Sequence, residues 1–358
     1  RGKWEFLGGQ SWGLMTPNRV GVSPQPQDLL ITYNEDANIQ VGTNYTRSGT
    51  FRTVWHPSDN FAWAVAIENP DQFVGSAVTF PTFFNAQLTP QFNSGVVPAP
   101  GSSVSGTLGT PNVAPDLVTK MAWDGNPDGR HWHFELGGIL TSAKATFIPN
   151  VTGATFQHTS KIGGGIQAAF VASMTKNFRM VGNLLYGSGV GRYLIGLGPQ
   201  VVVFPVNSGG TCTSAGNCGV EVSTVHSGNG LFGFELQATP KTLFGAYYGA
   251  AYFQRNAFPD LTSPTVLTIP IACETGGPLQ TKPCIGFGGA NSANNSNRAI
   301  QEGTFDWTQT FWRNPQYGAV LLITQYSYLT RAPWFVAAGA PKNAHASMAF
   351  VSLRYVLP

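Results

Sequence analysis

Residues 344–358, AHASMAFVSLRYVLP, read as a single strand built to lie between oil and water. Ala349, Val351, Leu353, Tyr355 and Leu357 fall on one face, and Ser352 and Arg354 fall between them. A pleated strand sends successive side chains to opposite faces, so this spacing gives one apolar side and one wetter side. Ending on such a strand is the habit of outer-membrane β-barrels, whose assembly machinery reads the last strand. The expectation is an all-β fold, a transmembrane antiparallel up-and-down β-barrel. Function then follows from the container: a pore, an anchor, a transporter or an enzyme.

Composition agrees. Charged residues make up 10 % of the 358, against about 25 % in average globular chains. Hydrophobic residues stand at 42 %, aromatics at 12 %, and there are 43 glycines. Low charge with abundant small polar residues suits a wall facing lipid outside and water inside. The apolar runs, such as Tyr247–Phe253 and Ala319–Ile323, are of strand length. None approaches the roughly 18–20 residues that a membrane helix needs, so the chain spans as a barrel or not at all. The numbering begins at Arg1 and is taken as a mature or trimmed chain. A net charge of +3 with no basic run excludes a nucleic-acid footprint.

Period-2 alternation recurs along the chain in segments parted by alternately short and long boundaries. Thr50–His56 and Phe61–Glu68 flank Pro57-Ser58-Asp59-Asn60; Leu117–Asp124 and His131–Leu140 flank residues 125–129. Lys161–Met174 and Phe178–Gly187, Leu231–Ala238 and Leu243–Arg255, and Ala299–Trp312 and Tyr317–Thr330 repeat the theme. With Gly2–Gly13 and the final strand this gives twelve strands, a minimum in a range of 12–16. Short periplasmic turns and long external loops are the rule in outer-membrane barrels. One domain over 1–358 is expected, with external loops at about 14–49, 70–115, 188–230 and 256–298.

The faces separate. Trp132, Phe134 and Leu136 oppose His131, His133 and Glu135; Phe305 and Trp307 oppose Glu302, Thr304, Asp306 and Thr308. An Arg at mid-depth on the lipid face would cost about 2–4 kcal/mol, so charges belong inside. The pore-lining or constriction candidates are Arg47, Arg52, Glu68, Lys120, Glu135, Arg179, Arg192, Glu302, Asp306 and Arg354. The four cysteines form two close pairs, Cys212/Cys218 and Cys273/Cys284, in polar loop stretches. Their spacing matches no zinc template and suits local disulfides in an oxidising compartment.

These features together resemble a bacterial porin, and in detail the DcaP-type group of trimeric outer-membrane porins. The carrying residues are Gly8-Gly9-Gln10-Ser11-Trp12, Tyr45-Thr46-Arg47 with Arg52, Ala66-Ile67-Glu68-Asn69-Pro70, Asp116-Leu117, and the stretch from Tyr186 to Tyr193. The resemblance implies sixteen strands, a homotrimer, and passive diffusion of small, often anionic, hydrophilic solutes across the bacterial outer membrane. The usual terminal aromatic would fall at position 359, continuing the parity of Tyr355 and Leu357.

Catalysis finds little support. His131 and His133 share a strand face but lack a third metal ligand, and no Gly-x-Ser-x-Gly elbow occurs. Ser347 with His345 is a same-face pair on one strand. The reading is a non-enzymatic porin with no cofactor and no metal, whose partners are lipid and diffusing solutes. A barrel acting as adhesin through its long loops, and a soluble lectin-like module, are the alternatives.

Overall fold

A computed structural model describes residues 3–357 except 36–39, 45, 71–83, 87–112, 150, 154, 156, 195–196, 208–211, 213–216, 275, 291–295 and 337. In chain order its strands begin with β1 (Trp4–Trp12), β2 (Arg47–Ser58), β3 (Phe61–Pro70), β4 (Phe84–Ala86), β5 (Asp116–Gly125), β6 (Trp132–Pro149) and β7 (Gln157–Ser173). There follow β8 (Phe178–Ser188), β9 (Val201–Asn207), β10 (Cys218–Thr224), β11 (His226–Thr239), β12 (Thr242–Phe253) and β13 (Asn256–Pro259). The last are β14 (Ile271–Ala272), β15 (Leu279–Gln280), β16 (Cys284–Phe287), β17 (Asn297–Asn314), β18 (Gly318–Pro333) and β19 (Ala344–Val356).

Twelve of these form the wall, in the up-and-down order β1-β2-β3-β5-β6-β7-β8-β11-β12-β17-β18-β19, every neighbour antiparallel. Tight connections join β2 to β3, β5 to β6, β7 to β8, β11 to β12 and β17 to β18. The β5–β6 turn is sharp because Asp128 and Gly129 both take positive φ, 54° and 70°. The short polar side chain of Asp tolerates that conformation, and Gly has no Cβ to clash. Between turns the pleat keeps one register. In β3, Trp63, Val65 and Ile67 are exposed while Ala62, Ala64, Ala66 and Glu68 are buried.

The wall curls around a segment of its own chain. Gly13 N donates to Thr46 O at 2.8 Å, closing residues 13–46 into a loop between β1 and β2. That loop, expected to project outward, lies against inward-facing side chains of β3, β6, β11, β17, β18 and β19. A flat sheet could not bring those strands to one segment; a barrel does. Among the described residues no backbone pair joins β1 to β19.

The loops do hold additional hairpins, but these do not enlarge the barrel. β9–β10, β13–β16 and β14–β15 are separate two-stranded sheets, the three-residue β4 only adds to the edge of β6, and among the described residues the wall path holds twelve strands rather than sixteen. Nor do β6 and β7 stop where the alternation weakens, near Leu140 and Lys161. Their ladder continues to Phe147↔Gln157, reaching past the roughly ten residues a bilayer covers. On this extension sits a small core of Ala143, Ala145 and Phe147 against Val201, Val203, Val220 and Val222. Phe204 stacks on Phe258 at 3.7 Å between ring centroids, tying this hairpin to the next. Most of 70–115, the loop that could fold inward, lies outside the described residues.

The disulfides Cys212–Cys218 and Cys273–Cys284 close these loop hairpins as their spacing leads one to expect. No wall strand carries a cysteine. Reduction is therefore expected to open new protease cuts within 201–224 and 256–290 while leaving the heat-modifiable gel mobility of the barrel unchanged. Loss of that mobility shift on reduction would show that the cap supports the wall.

Candidate functional site

The site is the barrel interior and the insert that occupies it. Residues 14–46 carry no strand or helix period in their sequence; turns and side-chain hydrogen bonds fold those of them that the structure describes. Asn18 Nδ2 reaches Ser23 O at 2.7 Å, Leu30 N donates to Pro17 O at 2.8 Å, and Asn34 Nδ2 donates to Gln40 Oε1 at 2.8 Å. Pro26 opens a single 3-10 turn, Pro26–Asp28. Leu14, Met15, Val22, Leu29, Leu30 and Val41 are all buried, although the insert is otherwise polar.

Its main-chain N–H groups meet wall acceptors in sequence. Leu14 N donates to Glu68 Oε1 (2.6 Å), Asn18 N to Glu135 Oε1 (2.9 Å) and Gly21 N to Asp124 Oδ2 (3.0 Å). Further along, Glu35 N donates to Gln325 Oε1 (2.8 Å) and Val41 N to Glu302 Oε2 (2.9 Å). In return Asn183 and Asn229 donate to the Gly42 and Thr43 carbonyls at 2.8 and 3.1 Å. These main-chain amides thus find partners in the wall, as a loop held away from water requires.

Two ion-pair clusters lock the insert to the wall. Lys120 Nζ donates to Thr16 O (2.7 Å), Asn18 Oδ1 (3.1 Å) and Glu135 Oε1 (3.1 Å). Arg19 grips both oxygens of Glu235 at 3.0 and 2.7 Å, Arg179 bonds the same carboxylate, and Tyr247 Oη donates to it at 3.0 Å. Both guanidiniums lie over the Tyr33 ring, at 4.5 and 5.3 Å from its centroid. Bidentate, partly buried Arg–carboxylate pairs are the strong kind.

Backbone contact is just as close. A Cβ on Gly249 would lie 2.6 Å from the Val41 carbonyl carbon and nearer still to its oxygen. Only glycine lets the insert rest on the β12 backbone there.

The expected lumen residues divide accordingly. Arg52, Glu68, Lys120, Glu135, Arg179, Glu302, Asp306 and Arg354 do face inward. Arg52 donates to Trp12 O at 2.7 Å and Arg354 to Glu35 Oε2 at 2.9 Å. Arg192 lies on a 3-10 turn, buried beside Gln200 and 3.9 Å from Asp116, rather than on the wall. Arg47 is a correction: it is exposed on the outer face with its guanidinium over Trp12. The odd spacing from Arg52 requires opposite faces.

A water-filled bore would leave the inward side chains accessible. Glu68, Lys120 and Glu135 are 0 % exposed, so the lumen in this state is closed at their level. His131 and His133 are engaged too, with Arg19 O at 2.8 Å and Asp124 Oδ1 at 2.9 Å. Sequence reasoning passed over Arg19 and Glu235. Glu235, between Phe234 and Leu236, carries the same alternation signal as Glu135 and could have been found; Arg19, in an aperiodic stretch, could not.

Outside, the wall is apolar. Phe6, Phe51, Ile67, Leu117, Phe134, Ile166, Leu184, Phe305, Val351 and Leu353 are all exposed. Charged outward side chains such as Arg47 and Lys144 stand away from the short-turn half of the strands. At the short-turn end aromatics touch across strands, with Trp55 6.0 Å from Trp4 and 6.4 Å from Trp63, and Trp123 5.1 Å from Phe61.

No family model matches the chain, and no curated protein matches it. Among solved structures it is similar to the toluene transporter TbuX of Ralstonia pickettii, at 9 % identity and a TM-score of 0.31. The alignment covers 99 % of this chain and 90 % of that one. That overlap is too loose to transfer a cargo.

Proposed function

We propose that this chain is a bacterial outer-membrane channel for small hydrophilic solutes whose lumen is closed at rest by its own insert. The observation that carries the reading is a wall apolar outside, polar inside, and stoppered by described residues of the 13–46 insert through hydrogen bonds to nine strands. The exposed apolar side chains suit lipid tails, and the Trp-rich short-turn end suits an interfacial aromatic girdle. No helix among the described residues is long and apolar enough to cross a membrane; strands would do the crossing. Passage down a concentration gradient then needs the insert to shift. The porin resemblance supports a homotrimer. Ser347 and His345 lie on the outward face, which favours a non-enzymatic role.

Planar-bilayer recording tests this. The wild type is expected to insert in three equal steps and to dwell mostly closed, with rare full openings. Silence from folded protein, in the wild type and in insert-loosened variants alike, would leave the second reading. That reading is a surface-adhesive barrel, favoured by the disulfide-closed hairpin cap.

A further inference from the structure

We infer that the lumen is built for cationic solutes, bearing an amine or guanidinium, which take the place that Arg19 holds at Glu235; this rests on the channel reading. Among the described residues of the wall strands, buried Glu68, Asp116, Glu135, Glu235, Glu302 and Asp306 stand against buried Arg52 and Lys120, with the more accessible Arg179 and Arg354 also facing inward. The insert answers three of these carboxylates with main-chain N–H groups and a fourth with a guanidinium. It behaves as a stand-in for a solute that carries donors and positive charge.

Asp306 is the independent observation. It is 1 % exposed, yet neither carboxylate oxygen has a hydrogen-bond partner. It neighbours the Tyr247 ring, since a Cβ built on Gly245 would meet that ring at 2.7 Å and Asp306 Oδ1 closer still. The hydroxyl of the same Tyr247 donates to Glu235 at 3.0 Å. With Arg19 in place, two guanidiniums serve Glu235 while Asp306 is left over. With Arg19 withdrawn, Glu235 keeps Arg179 while Asp306 still has no hydrogen-bond partner, and a positive ligand restores the balance. An anion entering here meets carboxylates, and like-charge approach in a low-dielectric bore is strongly unfavourable.

The test is equilibrium dialysis of argininamide, with citrate as the anionic probe, against the full-length protein in detergent. Removing the tethered competitor frees the subsite, so Arg19→Gln is expected to bind argininamide about tenfold more tightly than wild type. Adding Asp306→Asn should return affinity to the wild-type level, and citrate should bind none of them. An Arg19→Gln protein that binds no better than wild type, or prefers citrate, overturns the inference. Should Arg19→Gln lose its heat-modifiable mobility, the wild type decides: argininamide should raise protease cutting within residues 14–35, and Asp306→Asn should abolish that rise. No such rise in wild type is equally adverse. A barrel that binds argininamide but never conducts would remove the channel reading alone. One that conducts without favouring argininamide would remove this inference alone.

Discussion

Replacing Gly249 by valine is expected to drive the insert off the wall and hold the channel open. The new Cβ would overlap the Val41 carbonyl, which belongs to insert main chain and cannot rotate away as a side-chain tip would. Overpacking of this kind costs about 1–3 kcal/mol. Since 1.4 kcal/mol is tenfold in an equilibrium, the closed-to-open ratio should fall roughly 5- to 150-fold. Bilayer recordings should then show long open dwells, and residues 14–35 should become cleavable. Gly303 offers the matched control. A Cβ there meets nothing within 4 Å, so Gly303→Val should gate like wild type. Unchanged gating in Gly249→Val would mean that the insert does not stopper the bore.

The second large effect is expected at Lys120. Its ammonium is 0 % exposed and serves Thr16 O, Asn18 Oδ1 and Glu135 together. Lys120→Met removes the ammonium from the buried Glu135 carboxylate, which keeps Asn18 N and the His133 ring 3.2 Å away, and breaking a buried pair by removing one partner costs about 3–5 kcal/mol. Denaturant unfolding in micelles should show that loss, and Glu135→Gln in the same chain should recover part of it by removing the carboxylate charge. The partly exposed pair Arg354–Glu35, with side chains 45 % and 28 % accessible, makes the contrast. Arg354→Gln should change stability by less than about 1 kcal/mol. Equal effects at the two sites would mean that burial does not set the strength of these pairs.

The parts of this molecule that could be read from sequence are those governed by local period. Twelve wall strands, their tight turns and the inward side of Glu68, Lys120, Glu135, Glu302 and Asp306 all follow from alternation that a two-sided wall imposes. The same parity puts Arg47, five residues from Arg52, on the outer face. The insert is different in kind. Asn18, Arg19, Tyr33 and Val41 find partners more than a hundred residues away, and no spacing within residues 14–46 encodes those distances. The loop hairpins escaped for a related reason. Pro- and Gly-rich stretches can hide strands, but alternation cannot say whether those strands join the wall or cap it.

The Gly13–Thr46 clasp fixes how such a stopper must work. Both of its ends continue directly into hydrogen-bonded strands, so it cannot unthread or drift free. Whatever dislodges it leaves it hovering over its seat at an effective concentration of about millimolar, the usual figure for a short tether. Recapture is then an intramolecular event, indifferent to how dilute the protein is. A free peptide copying residues 14–45 would be a poor plug, outcompeted at every encounter by the leashed original.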